Sequence, residues 1–222
     1  MTKQGRLLGI GPTDNTSDQR TPRKHLRIIP EKARASFAPV APARYATRHD
    51  EWDMTRTAAD RPRAAGVPIE VTGTVRNENG TPLRNGLIEV WSANHYGRYR
   101  HIEDMSGLQM DDNFFGMGRI LTDDDGRYRF WTISPGAYLA RPDIGRWRPK
   151  HIHLSITGGS SRLITQMYFP DEPNNATDPM AILMGDAFER NIGKPYEIGG
   201  QDVEQGFNFD VVIGGKNATF FE

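Results

Sequence analysis

The sequence predicts an all-β protein, an antiparallel β-sandwich preceded by an extended N-terminal arm. Three observations carry that prediction. Up to about residue 65 the chain is rich in proline, arginine and alanine and has little periodicity. From Pro68 onward it breaks into short β-rich runs separated by Gly, Pro, Asn and Asp, the punctuation of turns rather than helices. With 222 residues it can bury one sizeable core, so we read an arm, 1–65, and one body, 66–222.

Taken in order, the arm holds at most one short helix, from Arg48 to Ala58. Segments of this texture become ordered against a body or a neighbouring subunit. Its basic residues (Arg20, Arg23, Lys24, Arg27, Lys32 and Arg34) suit such a clasp. The first strand is expected over Ile69–Arg76 and the second over Gly86–Ser92, with Asn79-Gly80 turning the chain between them. Gly118–Thr122 and Arg127–Ile133 flank the Asp125-Gly126 turn, and Ser134-Pro135-Gly136 leads into Ala137–Ala140. His151–Thr157, Leu163–Phe169 and Gly206–Gly214 complete the strands. Met180, Ile182, Leu183 and Phe188 place one short helix in the excursion from Asp178 to Asn191.

Composition removes several function classes. Lysine plus arginine equals aspartate plus glutamate, 28 against 28, so no global field draws in nucleic acid or an anionic membrane. The chain has no cysteine, which excludes disulfides, thiolate metal sites and cysteine nucleophiles. Its first residues form no apolar signal region and no run reaches a transmembrane length, so a soluble cytoplasmic protein is expected.

The chemistry concentrates in Arg148-Pro149-Lys150-His151-Ile152-His153-Leu154-Ser155-Ile156. Two histidines two residues apart share one face of a strand, while Ile152 turns to the other. Paired imidazoles present two neutral nitrogen ligands to a metal, and the plain alternative is two hydrogen-bonded histidines on a polar face. The residues after His153 supply no carboxylate up to Gly159. A zinc site would need His95 or His101 as a third ligand. Tyrosine is the remaining source, at Tyr96, Tyr99 and Tyr138, and spacing does not choose between the first two. A phenol with a pKa of roughly 10 becomes a ligand at neutral pH only beside a hard, strong Lewis acid, for which ferric iron is the best fit.

The blocks Leu87–Asn94, Gly97-Arg98-Tyr99-Arg100-His101, Phe114–Arg119, Leu121-Thr122-Asp123, Thr132–Tyr138, Trp147–His153 and Leu163–Phe169 together resemble the intradiol ring-cleavage dioxygenases. The likeness is closest to the β-type chains of the protocatechuate-cleaving members and runs in order from about Val67 to Glu222. It implies a transthyretin-like sandwich and one Fe(3+) per chain, with Tyr138 and His153 as axial ligands and Tyr99 and His151 as equatorial ones. It further implies a catecholic substrate and O2, cleavage between the hydroxyl-bearing carbons to a cis,cis-muconate, and no nucleic-acid or membrane partner. Tyr138 would serve as a departing base, Arg148 would stabilise charge developing on the substrate, and Gln166 would support the site from behind. The resemblance also implies an oligomer, of this chain alone or with an α-type chain. Ala140 stands where those relatives carry tryptophan, which leaves the substituent on the catechol open, plain catechol and hydroxyquinol included; Arg141 is a candidate to meet an anionic one. The readings from other classes are a non-catalytic binding module on the same sandwich and a zinc hydrolase.

Overall fold

The computed structural model describes residues 51–102, 104, 106–158, 161–199 and 202–220; the rest of the expected arm, with its basic residues, lies outside them. Eleven strands are described: β1 (Pro68–Asn77), β2 (Leu87–Trp91), β3 (Met117–Leu121), β4 (Arg127–Ile133), β5 (Tyr138–Arg141), β6 (Arg146–Arg148), β7 (His151–Gly158), β8 (Ser161–Tyr168), β9 (Lys194–Tyr196), β10 (Gln205–Asn208) and β11 (Val211–Ile213). One helix, α1 (Pro179–Met184), is followed by a 3-10 stretch, Gly185–Asn191. The excursion thus holds the expected helix in shortened form. Among the described residues no helix is long and apolar enough to cross a membrane.

Two sheets face each other. One is the antiparallel order β3-β2-β7-β8. The other is mixed: β4 lies antiparallel to one edge of β1, while β10 and then β11 run parallel to it, and β9 closes on β10. The all-β sandwich is therefore observed, with parallel pairs in one sheet where antiparallel pairing was expected throughout. Alternation builds the core between them: Ile69, Val71 and Val75 from β1 meet Ile88 and Val90 from β2 and Ile152, Leu154 and Ile156 from β7. Each fully buried aliphatic of this kind contributes about 1.5–3 kcal/mol by leaving water. Gly73 interrupts the β1 alternation because a Cβ there would lie 2.0 Å from the Phe209 carbonyl oxygen, where the Gly206–Gly214 run splits into two strands.

The segment expected to be helical forms turns and bends over residues 51–58. Tertiary contacts override its propensity: the Trp131 N–H donates to Trp52 O, the Met54 N–H donates to Trp131 O, and Asp53 bridges to the edge of β4. Two further strands escape the alternation rule. β6 is Arg-Trp-Arg in a hairpin outside the core, and β9 carries Pro195 at a sheet edge, a residue that argues against a strand.

Candidate metal centre

Four segments converge at one end of the β3-β2-β7-β8 sheet. β7 delivers His151 and His153, both buried, from the face opposite Ile152 and Leu154. The His151 Nδ1–H donates to Pro149 O at 2.7 Å; a carbonyl can only accept, so the neutral ring directs the Nε2 lone pair away from it. Trp91, the register partner of His153 on β2, stacks on that imidazole at 4.8 Å with planes 4° apart and fixes its orientation.

Tyr99 arrives on the loop after β2. Asn94 holds that loop: its Oδ1 accepts from the N–H groups of Tyr96 and Arg98, and its Nδ2 donates to Gln109 O. The Tyr99 N–H donates to Asp104 Oδ2 at 2.7 Å. Tyr138 enters at the start of β5, and its segment presses against the Tyr99 loop through two glycines. A Cβ on Gly97 would lie 2.4 Å from Ala137 O, and one on Gly136 would lie 2.4 Å from His95 O. Close packing of backbone on backbone brings the two phenol rings to 5.3 Å, edge to face, with Tyr138 5.8 Å from the His151 ring.

The donor atoms form a near-equilateral triangle. Tyr99 Oη lies 3.3 Å from His151 Nε2 and 3.2 Å from His153 Nε2, and the two nitrogens are 3.1 Å apart. A point equidistant from all three lies ~1.9 Å from each, close to ordinary metal–nitrogen and metal–oxygen bonds. The chemistry of the set, two imidazoles with phenols beside them, fits a hard, oxidised metal. Burial, and after it Arg148 and His153, pushes the His151 pKa well down, which keeps the ring neutral as a ligand must be. Burial raises the Tyr138 phenol, with Arg148 and Tyr99 partly offsetting it. Tyr96 instead packs against His95, so the loop brings Tyr99 rather than Tyr96 to the histidines. Among the described residues no three His, Cys, Asp or Glu side chains gather as a metal site, so the zinc alternative finds no third ligand of that kind.

Behind the histidines lies a polar network that sequence reasoning saw only in part. Arg148, whose side chain is 14% exposed, donates from Nε to Asp178 Oδ1 at 2.8 Å and from Nη2 to Asp178 Oδ2 at 3.2 Å. Nη2 also donates to Gln166 Oε1 at 2.7 Å and to Tyr168 Oη at 3.0 Å. Burial works against the Arg148 cation, but Tyr168 and Asp178 outweigh it and raise its pKa. Gln166, opposite His153 in the register, has its oxygen engaged in this way, and its buried Nε2 has no protein partner. Asp178 and Tyr168, both 0% exposed, were missed. The Asp178-Pro179 pair is a legible helix start, and Asp178 does cap α1, but nothing in the sequence links it to an arginine 30 positions earlier. Arg141 makes a two-pronged contact with Asp143 on the β5–β6 hairpin, at 2.9 and 2.7 Å.

Comparisons with known proteins bear on this geometry. The Dioxygenase family profile matches residues 40–215. The chain is similar to the protocatechuate 3,4-dioxygenase beta chain of Burkholderia cepacia, 39% identical, with 96% of this chain and 92% of that one covered. It is similar to the protocatechuate 3,4-dioxygenase alpha chain of Pseudomonas putida, 31% identical, with 72% and 78% covered. Among solved structures, the dioxygenase domain of a dioxygenase carbohydrate-binding protein fusion from Streptomyces sp. SirexAA-E superposes with a TM-score of 0.52 at 31% identity, covering 73% of this chain and 86% of that one.

Proposed function

We propose that this chain, which belongs to the intradiol ring-cleaving dioxygenase family, acts on protocatechuate or a catechol with a similar substituent at ferric iron, one ion per chain, held by Tyr99, Tyr138, His151 and His153. As a member of that family it is an oxidoreductase that opens a catechol ring with dioxygen, and the metal expected for the family is non-haem iron. The observation that carries the finer reading is the convergence of Tyr99 Oη and two imidazole nitrogens within 3.3 Å of one another, with the Tyr138 ring beside them. Ferric iron held by these residues would supply a Lewis acid that draws electron density from a catechol.

The protein's own groups do the rest. Two tyrosinates offset part of the metal's charge in a site where net charge is costly. The Tyr138 phenolate, next to Arg148, would take a proton from an incoming catechol hydroxyl. Arg148 would stabilise negative charge as the ring is attacked, and Gln166, whose Oε1 accepts from Arg148, keeps an unpartnered Nε2 as a second donor. Ring opening between the two hydroxyl-bearing carbons gives a cis,cis-muconate. Relatives of both alpha and beta type support an assembly with an α-type chain or with further copies of this one.

The visible spectrum of the purified protein tests this reading. Tyrosinate coordination should colour it red-brown, and anaerobic protocatechuate should shift the band to longer wavelength, followed by oxygen uptake on aeration. A protein that stays colourless after reconstitution with iron would refute the ligand set. Tyr138→Phe should change the colour and slow turnover; indifference to it would point to a binding module on the same sandwich.

A further inference from the structure

We propose that Tyr168 and Asp178 are positioning residues for ring opening, acting on the substrate only through Arg148 and Gln166. The inference rests on the reading of Arg148 given above and adds two residues to it.

A guanidinium on a flexible stem stabilises developing charge well only if its direction is fixed beforehand, because orientation found at the moment of reaction costs entropy and reorganisation. Here the direction is fixed from one edge. Four hydrogen bonds leave Arg148 from Nε and Nη2, toward Asp178, Gln166 and Tyr168, and Tyr138 is a further side-chain partner. The Tyr168 oxygen ties the set together, lying 2.8 Å from Asp178 Oδ2 and 2.9 Å from Gln166 Oε1 while accepting from Arg148 Nη2. A phenol has one proton to give, and the charged carboxylate is the stronger acceptor, so that proton belongs to Asp178. Gln166 Oε1 still receives Arg148 Nη2, which sets the amide oxygen toward the arginine and the unpartnered Nε2 away from it.

Capping of α1, where Asp178 Oδ2 accepts from the Ala181 N–H, accounts for only part of this network. Tyr168 and Asp178 are both 0% exposed, and apolar residues of similar volume could fill the space without four polar groups to satisfy. The Tyr168 ring also stacks at 5.9 Å on His151, which joins the network to the candidate ligands.

The experiment is a double-mutant cycle on the iron-loaded protein, with rates normalised to bound iron. Tyr168→Phe keeps the ring that packs on His151 and Phe188 and removes only the hydroxyl. It should lower kcat by about tenfold, with KM and anaerobic catechol binding unchanged within about twofold, the pattern of a contribution made in the transition state. Arg148→Lys keeps the charge and loses the planar fork, so in that background Tyr168→Phe should change kcat by less than about twofold. Equal losses in both backgrounds, a loss carried by KM, or an unaltered kcat in Tyr168→Phe would overturn the inference. Failure of the parent protein to consume oxygen with any catechol is a separate result, which would sink the functional reading itself.

Discussion

Replacing Gly136 with alanine tests whether backbone contact between two loops sets the distance between the phenols. The added methyl would lie 2.4 Å from His95 O and 2.6 Å from Gly97 N, and neither atom can rotate away because both are main chain. Bringing the tighter contact to 3.0 Å means parting the loops by about 0.6 Å at that point. Overpacking of this kind costs about 1–3 kcal/mol, or roughly 2–12 °C in Tm for a domain of this size. The larger effect falls on the site, since that gap separates the segments carrying Tyr99 and Tyr138; misplacement of this order costs about 10- to 100-fold in kcat. The assay is oxygen uptake per bound iron, with the tyrosinate band recorded alongside and Gly199→Ala as the control, a glycine with nothing within 4 Å of its added methyl. If Gly136→Ala matched Gly199→Ala in Tm, band and rate, the glycine contact would not be what spaces the phenols.

Other perturbations separate stability from chemistry. Ile152, fully buried between the two histidines, should cost about 2–5 kcal/mol as Ile152→Ala in urea unfolding, while kcat per bound iron stays within severalfold; a rate collapse without a stability loss would contradict its place in the core. Burial tends to raise the Asp210 carboxyl, but donation from the Thr74 hydroxyl and N–H and from Asn208 outweighs it and holds the pKa below the ordinary range. Its stabilisation is then fully present above the unfolded value of about 4 and lost as pH falls through the lower folded value. The Tm gap between the parent and Asp210→Asn should therefore be open at pH 7 and close in the acid limb, and a gap independent of pH would refute the assignment. Asp143→Asn removes the carboxylate that Arg141 grips with two donors and should lower KM for a carboxylated catechol by ~2- to 5-fold while leaving that for plain catechol unchanged; equal shifts for both would detach this hairpin charge from substrate choice.

Much of the architecture was legible because strand alternation and turn residues are local signals. Arg127–Ile133 is observed as expected, and β7 extends only to Gly158. The paired histidines were legible for the same reason, since a period of two is enough to put them on one face. What escaped depends on distance in the chain. The choice of Tyr99 over Tyr96 rests on how Asn94 and Asp104 fold one loop, and spacing cannot express that. The partnership of Arg148 with Asp178 joins β6 to the start of α1, so it exists only after β7 and β8 have turned the chain back. β6 and β9 were missed because neither buries an alternating apolar face.

β7 carries the core on one face and both candidate imidazole ligands on the other, and this ties assembly of the protein to its activation. A slip of one residue against β2 and β8 would bury the imidazoles among aliphatic side chains and turn Ile152, Leu154 and Ile156 outward. A chain mispaired in that way would have neither a dry interior nor a place for the ion. The same register that keeps the interior dry is therefore the one that sets both imidazoles toward Tyr99.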